Sequence, residues 1–194
     1  LLSGFTITNG TTDGYGGGIY MKRSSLVVEN NIIIANIADA SGAGIFMSDN
    51  STPTITGNII IKNGGRYPPA QGGTVAGGGI TVHGSSPTIT NNIIIENKAM
   101  YGGGVDFSAH GNGLLANNII IGNTATNRGG GIDIYHYSSP KVINNIIANN
   151  NGTGIHVCFE SYPLIDFNDV WNNIMGNYGG EASAGSNDIS TDPM

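Results

Sequence analysis

Three side chains suited to acid–base chemistry occupy the same position after glycine-rich segments. Asp106 and Asp133 each follow a Gly-Gly-Gly triplet by two residues, and His156 follows Gly-Thr-Gly by two residues. If these positions stack on adjacent strands, the two carboxyl groups lie about 4.8 Å apart, and their repulsion raises one pKa or attracts a cation. Retaining glycosidases hold two carboxyl groups about 5 Å apart, so the spacing predicts an acid and a nucleophile.

Other groups that can contact a sugar belong to the same predicted face. His83 and Tyr135 lie beside the aspartates, and Arg128 directly precedes a glycine triplet. In a polysaccharide lyase, His83 or His156 would be the general base, and Arg128 would neutralise a uronate carboxylate. Two other interpretations stay open: the face contacts carbohydrate without catalysis, or it is an ordinary solvated sheet surface.

An internal repeat must position these side chains, and two landmarks define it. A glycine box followed by an apolar residue occurs six times, at 16–19, 42–45, 77–80, 102–105, 129–132 and 152–155. An isoleucine-rich run closed by asparagine alternates with it, and the closing residues are Asn9, Asn36, Asn63, Asn97, Asn123, Asn150 and Asn173. We expect these asparagines to form a structural ladder, because a short amide can bond the turns above and below it.

Each repeat contains three short apolar segments separated by Gly, Asn and Pro corners. Such a unit cannot bury its apolar side chains alone, but it can by stacking on copies of itself. The pattern predicts an all-β parallel β-helix, or β-solenoid, of about seven turns with three short sheets, as a single domain over residues 1–194. Leucine-rich repeats are excluded, since the chain has 28 Ile but only 6 Leu.

The isoleucine runs also predict an outward apolar column, because side chains alternate along a strand. If Phe5 and Ile7 point inward, the outward column is a stripe that offers a partner surface. The stripe consists of Ile33, Ile60, Ile94, Ile120 and Ile147. The alternative is that these β-branched residues only shield one another.

One repeat is longer than the others because of an insertion over residues 64–76. It falls at the corner that also carries Tyr101 and Arg128, so we expect it to overhang the acidic face. Long loops on rigid scaffolds often bind ligands, and Arg66 and Tyr67 have the chemistry to stack on a sugar ring. A loop without a binding role is the alternative.

Composition excludes several classes of protein. With 7 Lys+Arg against 13 Asp+Glu, the net charge is -6, and no basic patch exists for nucleic acid. No apolar run is long enough for a membrane-spanning helix. Cys158 is the single cysteine and is expected to be a passive thiol. The chain is expected to be part of a longer protein, and its uncapped ends predict flanking domains or self-association.

Gly-Gly-Gly-Ile at 77–80 and the asparagine-closed runs resemble the right-handed parallel β-helix repeat proteins of the pectate-lyase-like superfamily. They are also similar to the repeats of polymorphic outer-membrane autotransporter passengers. The resemblance covers nearly the whole chain and implies a right-handed, single-stranded β-helix. It further implies an extracellular or cell-surface location and a groove for acidic polysaccharide along one sheet.

The resemblance leaves two functions open. The first is a non-catalytic module: a rigid stalk, an adhesin passenger or a carbohydrate-binding segment. The second is a polysaccharide lyase or glycoside hydrolase acting through Asp106 and Asp133, with His83 and His156 as further catalytic candidates. The expected sugar-contacting residues are Arg66, Tyr67, Tyr101, Arg128 and Tyr135. We expect no cofactor and no metal site; Ca²⁺ is compatible with the family, but no calcium-binding repeat is present.

Overall fold

The computed structural model describes residues 1–65 and 75–193, which form short strands joined by turns and contain no α-helix. The strands are β1 Leu2–Ser3, β2 Thr6–Thr8, β3 Thr11–Thr12, β4 Ile19–Lys22, β5 Val27–Glu29, β6 Ile32–Ile34, β7 Ile37–Ala38, β8 Ile45–Ser48, β9 Thr54–Thr56, β10 Ile59–Ile61, β11 Ile80–His83, β12 Thr88–Thr90, β13 Ile93–Ile95, β14 Lys98–Tyr101, β15 Val105–Ser108, β16 Leu114–Ala116, β17 Ile119–Ile121, β18 Thr124–Arg128, β19 Ile132–Ile134, β20 Lys141–Ile143, β21 Ile146–Ala148, β22 Ile155–Val157, β23 Leu164–Asp166, β24 Asp169–Trp171 and β25 Tyr178–Gly180.

Three parallel seven-stranded sheets form the walls of the solenoid. The middle sheet has the order β1-β5-β9-β12-β16-β20-β23, and the isoleucine sheet has the order β2-β6-β10-β13-β17-β21-β24. The glycine-box sheet has the order β4-β8-β11-β15-β19-β22-β25. Every strand therefore pairs with its equivalent one repeat away, and the prediction of a parallel solenoid of about seven turns is confirmed.

The corners between the sheets differ in whether their length varies from turn to turn. Two residues join the middle sheet to the isoleucine sheet in each turn, for example 57–58 and 144–145. The corner from the isoleucine sheet to the glycine-box sheet varies, and it spans 149–154 in one turn and 62–79 in another. Length differences between repeats are therefore concentrated at one edge of the glycine-box sheet.

The constant corner is the two-residue corner between the middle sheet and the isoleucine sheet. It consists of a residue in the left-handed backbone conformation followed by asparagine. Asn144 has φ 53° and Gly57 has φ 65°, and each is followed by a buried asparagine. Asn and Gly adopt this backbone conformation most readily, which explains their abundance in the sequence. The left-handed residue turns the chain so that the next side chain, Asn58 or Asn145, points into the solenoid.

Two buried asparagine ladders run along the solenoid. The predicted structural role is confirmed for the closing asparagines from Asn36 to Asn173 but is wrong for Asn9, which is exposed, because the backbone N–H of Gly10 donates to Asn36 Oδ1 instead. In each ladder, the backbone N–H and Nδ2 of one asparagine donate to Oδ1 of the next. Asn97 donates in this way to Asn123 at 3.0 Å from both atoms, and its Nδ2 also donates to the carbonyl of Ile60 at 2.9 Å. The second ladder, at the constant corner, comprises Asn31, Asn58, Asn92, Asn118, Asn145 and Asn168.

The predicted outward stripe of isoleucines is wrong, because Ile33, Ile60, Ile94, Ile120 and Ile147 are all fully buried. The error lies in the register: Ile7 pairs with Ile33, and Phe5 is 57% exposed. Alternation starts from the inward asparagine, so the middle isoleucine of each run is inward as well. The more exposed members of the runs are the first isoleucines: Ile32, Ile59, Ile93 and Ile119.

Close backbone stacking explains the glycine boxes. A Cβ on Gly131 would lie 2.5 Å from the carbonyl oxygen of Gly154 in the next turn. Gly129 has φ +66°, and a Cβ there would lie 2.7 Å from the Cβ of Asp133. The first glycine of a box thus packs directly over the side chain four residues later, which belongs to the acidic face.

At the carboxyl-terminal end of the solenoid, residues that follow the last full turn accept hydrogen bonds from the last asparagine of each ladder. Asp188 Oδ1 accepts from the backbone N–H of Asn168 at 2.7 Å and from its Nδ2 at 3.1 Å. Asn177 Oδ1 accepts from the same two groups of Asn173 at 3.3 and 3.1 Å. The expectation that neither end carries a polar cap is therefore wrong for this end. Within the described ranges, no helical segment has the length and apolar character of a membrane span.

Candidate functional site

The acidic column, which we define as Thr81, Asp106, Asp133 and His156, is a continuous row across four strands of the glycine-box sheet. Asp106 pairs with Thr81 on one side and with Asp133 on the other, and Asp133 pairs with His156. The repeat therefore predicted correctly that these side chains stack on adjacent turns. The glycine-box spacing is what brings them into one row.

The acidic column is not a solvated surface. Asp106 and Asp133 have no exposed area, Thr81 is 1% exposed, and only His156 is partly accessible. The interpretation of these residues as ordinary solvated polar groups is therefore wrong for the two aspartates. Ionisable groups in such positions need compensating charges or hydrogen bonds.

Asp133 receives that compensation from two neighbours. Arg128 Nε donates to Oδ1 at 3.2 Å and to Oδ2 at 3.1 Å. His156 Nδ1 lies 2.9 Å from Oδ1. The Asp133 side chain is thus held in place by a guanidinium from the variable corner and by an imidazole from the next strand.

Asp106 is compensated much less. Ser108 Oγ donates to Oδ2 at 3.0 Å, whereas Oδ1 has no hydrogen-bond partner among the described residues. Burial raises the pKa of Asp106 well above the usual range, and the adjacent Asp133 carboxylate raises it further. Asp106 therefore retains its proton to higher pH than an exposed aspartate.

Arg128 also forms the centre of an aromatic cluster. Its guanidinium carbon lies 4.5 Å from the ring centroid of Tyr101, 5.2 Å from that of Tyr135 and 5.8 Å from that of Phe159. Such distances are within the range of cation–π attraction. Burial, together with the nearby Asp106 and Asp133, raises the pKa of Tyr135 to about 12, so its phenol stays protonated at neutral pH.

A groove of about 460 Å³ lies beside this cluster and is termed the aromatic groove. It contains one guanidinium and no carboxylate among its described lining residues. The lining consists of Tyr15, Ala40, Ser41, Phe46, Ala76, His83, Tyr101, Ser108, Arg128 and Tyr135. Its volume is within the range of pockets for small ligands. The buried aspartates are not part of this lining, and Asp133 is bonded to the lining residue Arg128.

The aromatic groove brings together several residues predicted to contact sugar. Tyr101, Arg128, Tyr135 and His83 line it, whereas Asp106, Asp133 and His156 do not. His83 stacks on Phe46 with ring centroids 6.2 Å apart, and burial lowers its pKa. Arg66 and Tyr67, predicted to overhang the groove, lie outside the described residues.

Sequence reasoning missed two contributors to this face. Phe46 occupies the same column as Thr81 and is 4% exposed, and the repeat pattern did not identify it as part of the site. Cys158 was expected to be passive, yet its sulfur, His156 and Asp133 offer ligand atoms that all lie within 4.8 Å of one another. The available signal was parity, since Cys158 follows His156 by two residues and shares its face.

Comparison with known proteins identifies a family for this chain. Neither a curated protein nor a solved structure matches the chain. A family model described as "Right handed beta helix region" matches residues 2–125 and 78–191, which together span almost the whole length. With the parallel solenoid of three sheets, this match shows that the chain belongs to the right-handed β-helix family.

Proposed function

We propose that this chain is a non-catalytic, carbohydrate-binding segment of an extracellular or cell-surface protein, and that it binds an acidic oligosaccharide in the aromatic groove. The observation that carries the proposal is the lining, which combines four aromatic rings with one guanidinium and no carboxylate among its described members. Aromatic rings stack on sugar rings, and a guanidinium pairs with a uronate carboxylate.

Arg128 is suited to this role because its bonds to Asp133 use Nε only. Among the described residues, its terminal NH2 groups are left for a ligand, while Tyr101 and Tyr135 hold the guanidinium in place. The bonds to Asp133 fix the orientation of the guanidinium. A preorganised Arg loses less conformational entropy when the ligand binds.

The alternative function is hydrolysis or lyase chemistry through Asp106 and Asp133. It is favoured by their adjacent register and by their unequal environments, which separate a proton donor from a carboxylate. Against it stands the complete burial of both side chains, since a catalytic carboxyl must contact the bond that it cleaves. Binding without cleavage is therefore the function that we propose.

Calorimetric titration with matched uronate and neutral oligosaccharides tests the proposal. We expect uronates to bind more tightly, and we expect Tyr101→Ala to weaken binding by about fivefold, because one stacking ring contributes about 1 kcal/mol. Arg128→Lys keeps the charge and removes the planar fork, so it should reduce the preference for uronates.

Tyr162→Ala is the matched control, because Tyr162 is 75% exposed and does not line the aromatic groove. It should bind as the wild type does. The proposal is wrong if no oligosaccharide binds or if Tyr101→Ala binds as tightly as the control. Release of new reducing ends or unsaturated products by the wild type, lost in Asp133→Asn, would establish the enzymatic alternative instead.

A further inference from the structure

We propose that Asp133, His156 and Cys158 form a binding site for a divalent transition-metal cation, with Zn²⁺ as the reference ion. The three residues offer a carboxylate oxygen, an imidazole nitrogen and a thiolate sulfur, a set that suits borderline-soft cations better than Ca²⁺ or Mg²⁺. This inference is independent of sugar binding in the aromatic groove.

The separations between the three ligand atoms are close to those of a tetrahedral site. Asp133 Oδ1 and His156 Nδ1 lie 2.9 Å apart, and all three ligand atoms lie within 4.8 Å of one another. In a tetrahedral zinc site, ligand atoms are about 3.3 to 3.6 Å apart. The sulfur therefore needs to approach by at most about 1.2 Å, and water would complete the coordination shell.

The sheet positions these residues without any special loop. His156 lies in β22 and pairs with Asp133 in β19. Cys158 follows two residues later on the same face, and its N–H continues the pairing by donating to the carbonyl of Ile134 at 3.0 Å. The ligands thus come from two adjacent, hydrogen-bonded segments of a rigid wall.

The imidazole of His156 is held by close packing. A Cβ on Gly180 would lie 2.8 Å from His156 Nε2, and a Cβ on Gly179 would lie 3.3 Å from Cδ2. Glycine at both positions leaves room for the ring. Because the Nε2 side is packed against this turn, Nδ1 is the ring nitrogen on the Asp133 side and the one available to an ion bound there.

The site would gain one negative charge when an ion binds, because coordination would convert Cys158 to a thiolate by releasing its proton to solvent. The thiolate and Asp133 would then face the two positive charges of the ion together with that of Arg128, which is bonded to Asp133. Asp106, one strand away, is fully buried with Oδ1 unpartnered among the described residues, so a polar atom beside the cluster still lacks compensation.

Titration with Co²⁺ tests this proposal directly. The chain would first be treated with a chelator and a non-thiol reductant. We expect one Co²⁺ per chain and a sulfur-to-cobalt charge-transfer band, which Zn²⁺ then removes by displacement. Since Cys158 is the only cysteine, that band identifies its sulfur as a ligand.

Variants separate the site from nonspecific binding. Cys158→Ser should lose the charge-transfer band, and both Cys158→Ser and His156→Ala should weaken Co²⁺ binding by about 100-fold or more, since loss even of outer-shell partners costs 10- to 100-fold. His110→Ala, which removes an exposed histidine outside the cluster, should bind as the wild type does.

A thermal shift keeps the test independent of spectra. Zn²⁺ should raise the melting temperature of the wild type and of His110→Ala, but not that of Cys158→Ser, because a ligand that binds the folded state stabilises it. The proposal is overturned if no Co²⁺ binds, if its spectrum lacks the sulfur band, or if Cys158→Ser binds Co²⁺ as tightly as the wild type. None of these results bears on oligosaccharide binding.

Discussion

Two aspartates at equivalent positions of the repeat have become chemically different because of their neighbours. Asp133 is within reach of Arg128 and His156, whereas Asp106 accepts one hydrogen bond, from Ser108. The repeat dictates the stacking of the two carboxyl groups. Side chains from outside the repeat pattern, chiefly Arg128, determine which hydrogen-bond partners each carboxyl group has.

The raised pKa of Asp106 predicts that the protein loses stability as pH rises. In the unfolded chain an aspartate has a pKa of about 3.9, so above that value the folded state binds more protons than the unfolded state. The contribution of Asp106 is fully present below about pH 4 and is lost as pH rises through its folded-state pKa. Thermal midpoints from acidic to alkaline pH, measured with a chelator present, should show this decline.

Asp106→Asn should abolish that part of the decline, because the amide cannot ionise but still accepts from Ser108. At neutral pH the variant should be at least as stable as the wild type. Asp49→Asn is the control, since Asp49 pairs with Lys22 at 3.5 Å on the surface, and it should keep the wild-type slope. An unchanged slope in Asp106→Asn would mean that another group causes the decline.

At the scale of the elements, buried asparagines at the corners link each turn of the solenoid to the next by hydrogen bonds. Asn150 is fully buried, donates to the carbonyl of Ile120 at 3.0 Å and to Asn173, and accepts from Asn123. Asn151 is its exposed neighbour. Asn150 therefore belongs to the ladder, whereas its neighbour Asn151, the same residue type, does not.

This neighbouring pair gives a direct test of the ladder. Asn150→Ala leaves several buried donors and acceptors unpaired, each costing about 1 to 3 kcal/mol, so we expect the free energy of unfolding to fall by about 3 kcal/mol or more. Asn151→Ala should change it by less than about 0.5 kcal/mol. Urea denaturation measures both, and equal effects would contradict a dominant role of the ladder.

The elements also show how far the sequence alone predicts this molecule. Periodicity predicted the solenoid, the sheets and the row of Asp106 and Asp133, because a repeat must stack in register. It failed for Ile33 and its equivalents, since the inward Asn31, rather than Phe5, sets the parity of the run. Burial of the aspartates was not predictable, because alternation along the strand assigns them to outward positions and the contact of Arg128 with Asp133 is not part of the repeat.

On the scale of the whole molecule, each turn contacts only its two neighbours, so stability should vary along the axis. Asp188 holds the last turn in three ways. Besides ending the ladder at Asn168, its Oδ2 accepts from Tyr178 Oη at 2.7 Å and from the N–H of Gly185 at 2.9 Å. Loss of this residue should therefore loosen one end without unfolding the middle.

Hydrogen exchange on Asp188→Ala tests this expectation. Amides of β23 and β24 should exchange at least about tenfold faster, because the loss of about 1.4 kcal/mol locally gives that factor. Amides of β11, β15 and β19 should exchange at their wild-type rates. Glu181→Ala, which truncates an exposed side chain nearby, is the control. Faster exchange throughout the chain would instead show that the solenoid opens as one unit.

The variable corner allows the lining of the aromatic groove to diversify independently of foldability. Arg128, Tyr101, Ser41 and Ala76 all come to the aromatic groove from this corner, whereas the ladder at the two-residue corner contributes nothing to the groove lining. Mutations that lengthen or rewrite the wall of the groove therefore leave the ladder at the two-residue corner and the isoleucine core untouched. Evolution, or a designer who grafts new loops between the isoleucine and glycine-box sheets, can change the groove lining while keeping the stack that supports it.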